Sequence, residues 1–268
     1  MSRLFTFGCS FTSYFYPTWA DLLAQNYEHY ENWGLIGTGT RSAAERLAEC
    51  HAKNHITADD HVIVQWSLHN RHDYYNPISR YKPYAINWKT SGNIFSRDNQ
   101  QVFSPDWVDK FYWEPAYVMH SLNQMILVKG LLTSLGCQWQ WTSIGDWPML
   151  GSDLGSSQGF SIAKDLAQFN CYVEELFDKP YWLKPLQTHA DQQPHLGWHF
   201  MGEAWPHPSP RQYDLWLKDC LADYPGRNDA WLDELDQVYK ASNKDMGRLR
   251  ELMQAHEHAH WPPGAKGF

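Results

Sequence analysis

Three short apolar runs, separated by stretches of helical periodicity, constrain this chain more than any other feature. RLFTF at 3–7, VIVQW at 62–66 and QWQWTSI at 138–144 are rich in β-branched and aromatic residues and nearly free of charge. That is the composition of strands covered on both faces. Residues 28–32 predict one more strand. Helical spacing runs through 19–25 (Trp19, Leu22, Leu23) and from Thr40, read as an N-cap, to about Lys53 (Ala43, Ala44, Leu47, Cys50). It continues through 118–135 (Leu122, Met125, Ile126, Leu132, ending at Gly136). Strand–helix alternation of this kind predicts an α/β chain: a three-layer α/β/α sandwich around a central, mostly parallel sheet. In such sheets ligands sit beyond the carboxyl ends of the strands. Ser10, Gly37, the 67–71 loop and Asp146 would all fall there.

The rest of the chain is less regular. Residues 74–115, rich in Asn, Pro, Ser, Tyr and Lys, predict a long irregular insertion able to line a cleft. Helices are expected at 165–176 and 212–223, with a loop rich in Pro, His and Trp between them. From Gly226 the sequence turns polar and helical, so the expected division is a core domain at 1–225 and a C-terminal helical appendage at 226–268. That appendage is expected to pack on the domain or on a partner, as in a homo-oligomer or a virion assembly.

Composition narrows the partners. The formal net charge is −8 with no cluster of Lys or Arg, so nucleic acid is not expected. No run approaches the roughly 20 apolar residues a membrane span requires. No secretory apolar region precedes the first turn, and five widely spaced cysteines suggest free thiols, so the expected setting is cytoplasmic. The 15 tryptophans have two readings: core packing, or loop aromatics that stack on sugar rings, as Trp88, Trp107, Trp113, Trp147, Trp198 and Trp205 would.

Four segments carry chemical potential. Gly8-Cys9-Ser10-Phe11-Thr12 puts a serine at a tight turn after the first strand. It is either a helix-capping hydroxyl or an exposed nucleophile. In 32–40, NWGLIGTGT, glycines let a substrate approach the backbone; without Gly-Lys-Ser/Thr it is no Walker loop. QWSLHNR at 65–71 projects amide, imidazole and guanidinium groups from the end of the strongest strand. His207-Pro208-Ser209-Pro210 precedes a helix.

In this order the four segments resemble the SGNH (GDSL-like) serine hydrolase superfamily, especially a divergent branch found in bacteriophages and polysaccharide gene clusters. The resemblance covers roughly 3–223, with 74–115 and 152–193 as poorly matched insertions. It implies a flavodoxin-like fold, Ser10 as nucleophile and His207 as base. It also implies an oxyanion hole from the N–H groups of Ser10 and Gly37 with His69 or Asn70, and no cofactor or metal. Arg71, Trp66 and Trp205 become candidate substrate contacts. The implied reaction is hydrolysis of a small O-acyl ester, such as an O-acetyl group on a carbohydrate. The chain departs from the family pattern twice. WSLHNRHD stands where the family has G-x-N-D. Ala204 stands three residues before His207, where the family has Asp, which leaves Glu203 and Asp191 as candidate orienting acids. Loss of that acid also permits a non-catalytic reading, as a glycan-binding or virion structural protein. A third reading places zinc on His256 and His260, an i, i+4 pair on one helical face of the HEHAH tail; a solvated helix end is the simpler account of that tail.

Overall fold

A computed structural model describes residues 3–14, 16–75, 88–93, 104–145, 170–186, 207–227 and 229–241. Four strands, β1 (Arg3–Phe7), β2 (His29–Asn32), β3 (His61–Trp66) and a later one at Gln138–Ser143, form one sheet. With β4 (Arg71–Tyr75) and β5 (Trp88–Asn93) between them in the chain, that last strand is β6. The sheet order is β2-β1-β3-β6 and every pairing is parallel. The chain leaves β1 in one direction to reach β2 and in the other to reach β3. The carboxyl end of β1 is therefore the switch point at which such sheets bind ligands.

Side-chain alternation along the strands divides the core in two. Leu4 and Ile63 face one side, with Trp19 and Leu22 of α1 (Trp19–Ala24) and with Tyr213 and Trp216 of a helix at Pro210–Cys220. Phe5, Phe7, Val62, Val64 and Trp66 face the other, against α2 (Thr40–Asn54) and a long helix at Glu114–Leu135. Numbered in chain order, the helices after α2 are α3 (Pro105–Phe111), α4 (Glu114–Leu135), α5 (Asn170–Leu176), α6 (Pro210–Cys220) and α7 (Asp229–Ala241). The result is the expected α/β/α sandwich. Within 226–268, α7 places Leu232 and Leu235 in the same core as Trp19. Arg211 of α6 holds it through Asp229 and Asp233.

Three expectations change. Thr40 is the first helical residue of α2, and Gly39 is its N-cap. The 74–115 region is not wholly irregular. β4 and β5 pair antiparallel, and α3 starts on a Ser104 cap whose hydroxyl accepts from Trp107 N at 3.2 Å, with Pro105 next. WKTSGN in β5 has no apolar alternation, so only its pairing with β4 makes it a strand. Trp66 is fully buried, edge-on to Trp141 with ring centroids 5.2 Å apart. Pleating turns the last residue of β3 into the core, so Trp66 is a packing residue and not a substrate contact.

One ion pair closes the amino ends of the strands. Arg3 donates to both Asp60 oxygens at 2.7 and 2.6 Å and to the Asn54 carbonyl at the end of α2 at 3.0 Å. Burial alone would raise the Asp60 carboxyl, but the bonds from Arg3 and Thr57 outweigh it and hold it below the ordinary carboxylate range. Such a group stabilises the fold above the unfolded pKa and loses that contribution as pH falls through the folded one. Asp60→Asn is expected to cost about 1.5–3 kcal/mol at neutral pH by denaturant titration, since charge-assisted bonds are lost and Arg3 is left unpaired. The gap from the native chain should close as the solution is acidified below pH 4.

Candidate active site

Ser10 follows β1 in a turn closed by Thr12 N and Ser13 N, which donate to the Cys9 carbonyl at 2.9 and 3.0 Å. The turn fits only because residue 8 is glycine. A Cβ there would lie 2.2 Å from Thr12 Oγ1 and 2.9 Å from Gln65 Cβ. Thr12 Oγ1 in turn donates to Gln65 Oε1 at 2.8 Å, which ties the turn to β3.

His207 reaches this turn from the far end of the domain. Its Nε2 is 2.8 Å from Ser10 Oγ, and both side chains are buried, at 4% and 7% exposure. With the imidazole proton on Nδ1, Nε2 accepts from the Ser10 hydroxyl, the geometry of a nucleophile beside its base. The segment is fixed on its carboxyl side. Ser209 caps α6 in a reciprocal pair with Gln212, at 3.3 and 2.8 Å, with Pro210 as first helical residue. Tyr16 OH donates to the Pro208 carbonyl at 2.9 Å. The HPSP motif is thus a helix start that presents the imidazole just before its cap.

The glycine loop lies beside the Ser10 turn. Trp33 N donates to Thr6 O at 2.8 Å and Leu35 N to Gly8 O at 2.9 Å, extending the β1–β2 pairing past the strands. Asn32 braces the two loops. Its Nδ2 donates to Thr12 O at 2.8 Å and its Oδ1 accepts from Gly34 N at 2.9 Å. Gly37 then turns the chain with φ at 77°, a left-handed conformation that suits glycine. The next carbonyl, Thr38 O, accepts from Ser67 Oγ at 2.8 Å and from Arg71 Nη1 at 2.7 Å.

Two buried carboxyls sit at the helix starts behind these loops. Asp21 accepts from Thr18 N at 2.8 Å and from Tyr30 OH at 3.1 Å; burial pushes it up to about 6. Asp73, on β4, accepts from Gly39 N at 2.9 Å and Ser42 N at 3.1 Å, so it caps α2 where Gly39 has no side chain to do so. Burial likewise pushes Asp73 up to about 6.

The other sequence candidates fall as follows. His69 is buried, and its Nε2 contacts Glu114 Oε1 at 2.9 Å, so that nitrogen is committed to α4 rather than offered to a substrate. Asn70 is half-buried, with an Oδ1 that has no partner among the described residues. Arg71 supports the Gly37 turn through Thr38. It also lines a cavity of about 550 Å³ between α2, β4, α3 and α4, with His69, Asp73, Trp107 and Tyr117. Neither Ser10 nor His207 lines that cavity. Trp113 is exposed on the surface at α4's start. Glu203, Asp191, Asp146, Trp147, Trp198, Trp205 and the His256–His260 tail lie outside the described residues. Among the described residues no cluster of His, Cys, Asp and Glu is arranged to hold a metal. Sequence reasoning missed Asn32 as a brace and Asp73 as a cap. The N-x-G spacing signals the first, whereas nothing in a lone strand aspartate signals the second.

No family model matches the sequence, and no curated protein matches it. Among solved structures, the chain is similar to a member of the lipolytic G-D-S-L family from Veillonella parvula. That pair is 12% identical over 83% of this chain and 100% of the other, with a TM-score of 0.44. It is also similar to a psychrotrophic esterase from a Pseudoalteromonas species (12% identity, 83% and 97% covered, TM-score 0.45). A third is a catalytic mutant of an acetylxylan esterase from Geobacillus stearothermophilus (12% identity, 84% and 94% covered, TM-score 0.45).

Two outcomes follow from the geometry. Gly8→Ala is expected to destabilise the chain by about 1–3 kcal/mol through overpacking against Thr12 and Gln65, read as a lowered melting temperature. Asp73, with a folded pKa raised above its unfolded value, gives a stability contribution that is full below about pH 4 and is lost as pH rises through 6. In paired denaturant titrations, the stability of the native chain relative to Asp73→Asn should therefore fall between pH 4 and pH 7. A flat difference would contradict the burial of that carboxyl.

Proposed function

We propose that this chain is a serine esterase of SGNH type that cleaves small O-acyl esters, with acetyl groups on carbohydrate as the substrate class. The reading is carried by one observation: the 2.8 Å contact between Ser10 Oγ and His207 Nε2 at the carboxyl end of a parallel sheet. His207 takes the Ser10 proton as Oγ attacks the acyl carbon. The tetrahedral oxyanion forms between the backbone N–H groups of Ser10 and Gly37, with a further donor from the His69–Asn70 loop. Its collapse breaks the ester C–O bond, and the imidazolium returns its proton to the departing alcohol. Water, deprotonated by the same imidazole, then attacks the acyl-enzyme to release the acid and restore Ser10.

A fluorophosphonate probe should label the native chain at Ser10, and p-nitrophenyl acetate and an acetylated glycan should both be hydrolysed. Ser10→Ala should abolish labelling. His207→Gln should lower turnover by at least about 10³-fold, the scale of loss when a serine nucleophile lacks its base. Absence of labelling in the native chain would overturn the esterase reading and favour a non-catalytic, glycan-binding role.

A further inference from the structure

The imidazole of His207 is packed against two aromatic rings from the nucleophile's own turn. The Tyr14 ring is stacked on it, with centroids 4.1 Å apart and planes 15° from parallel. The Phe11 ring lies 4.6 Å away, tilted by 31°. Tyr14 in turn meets Tyr16 edge-on at 5.1 Å, and Tyr16 OH holds the Pro208 carbonyl. Residues 10–16 therefore supply the nucleophile, the ring stack on the base and the anchor of the base's own segment. We propose that Tyr14 is a positioning residue for His207, with Phe11 as its secondary support, a proposal that rests on the esterase reading above.

Two physical effects follow from the stack. First, an imidazole has two soft torsions, and a face-to-face neighbour restricts both, so Nε2 stays directed at Ser10 Oγ. Second, proton transfer from Ser10 turns the ring into a cation while the oxyanion forms. An aromatic face attracts that cation, and does so more strongly in a desolvated setting than in water. The stack is thus tighter with the charged imidazole of the transition state than with the neutral one of the ground state, which is the condition for raising the rate rather than only the affinity. The ring is what matters. Both effects belong to the face of the ring, which Tyr14→Phe would keep.

The test compares the native chain with Tyr14→Leu and Tyr14→Phe, each at equal folded concentration by circular dichroism. Fluorophosphonate labelling of Ser10 and kcat and KM on p-nitrophenyl acetate are the readouts. Tyr14→Leu should slow labelling and lower kcat about tenfold with KM within about threefold, the scale of a desolvated cation–π contact. Tyr14→Phe, which keeps the ring, should restore most of both. Phe11→Leu should show the same pattern with a smaller loss, and it keeps the test open if Tyr14→Leu does not fold. Labelling of Tyr14→Leu at the native rate, or equal losses in the Leu and Phe variants, would overturn the positioning role and leave the esterase reading standing. A native chain that reacts with neither reagent would remove the esterase reading itself.

Discussion

The Ser10–His207 contact joins side chains 197 positions apart in the chain, and the remainder of the described structure can be read as the conditions for it. A parallel sheet returns every strand in the same direction, so each strand exit opens onto one rim. The turn after β1, the glycine loop after β2 and the 67–71 loop after β3 consequently share that rim. His207 does not follow a strand of this sheet; it precedes α6. It reaches the rim because α6 packs on α1 through Trp216 and Trp19, at 5.9 Å between rings. The apolar contact between two helices on one face of the sheet thus sets the distance between a hydroxyl and an imidazole at its edge. Closely packed interiors transmit small displacements, so the accuracy of the site depends on that face of the core.

Holding the loops requires polar groups to be buried, and their partners are specific. The Thr12 carbonyl accepts from Asn32 at 2.8 Å and from Thr18 Oγ1 at 2.6 Å, so the Ser10 turn, the glycine loop and the start of α1 meet at one oxygen. Thr38 O plays the same part on the other side, shared by Ser67 and Arg71. Networks of this kind rigidify a site when complete and are costly when one member is removed. Gly8 and Gly34 belong to the same arrangement. At Gly8 a Cβ would meet Thr12 Oγ1 of the same turn at 2.2 Å and Gln65 Cβ of β3 at 2.9 Å; at Gly34 it would meet Ser13 Cβ of the Ser10 turn at 2.8 Å. The glycines of these motifs are therefore close-approach positions.

The sequence was legible wherever a local pattern fixed the outcome. VIVQW is apolar on both faces and could only be a central strand. HPSP contains its own helix start in Ser209 and Pro210. N-x-G encodes an Asx-type turn, since the Asn32 side chain accepts from Gly34 N two residues on. Legibility ended where a residue's role depends on a distant element. β5 exists because β4 pairs with it, and its own residues argue against a strand. Trp66 ends the strand VIVQW, and only the pleat of β3 decides that its ring faces the core. His69 occupies the loop where a side-chain donor was expected, yet Glu114 of α4, 45 residues away, takes its Nε2. Asp73 caps a helix 31 residues earlier. Tyr14 lies four positions from Ser10, and only the docking of His207 gives its ring a purpose.

Electrostatics at the rim favours backbone amides as the source of oxyanion stabilisation under the esterase reading. The starts of α1 and α2 both lie at this end of the sheet, and a helix N-terminus attracts negative charge. In this chain each of those ends already has a buried carboxyl of its own, Asp21 on α1 and Asp73 on α2. When ionised, these groups satisfy the free amides and offset the helix fields, so little of either field remains for a developing oxyanion. Among the described residues, no carboxylate accepts from the N–H groups of Ser10 and Gly37. Fixed amides directed at the point where charge develops act without reorganising during the reaction. The buried carboxyls then hold the loops in place, and the loops hold the amides; the tight glycine packing behind them follows from that division of labour.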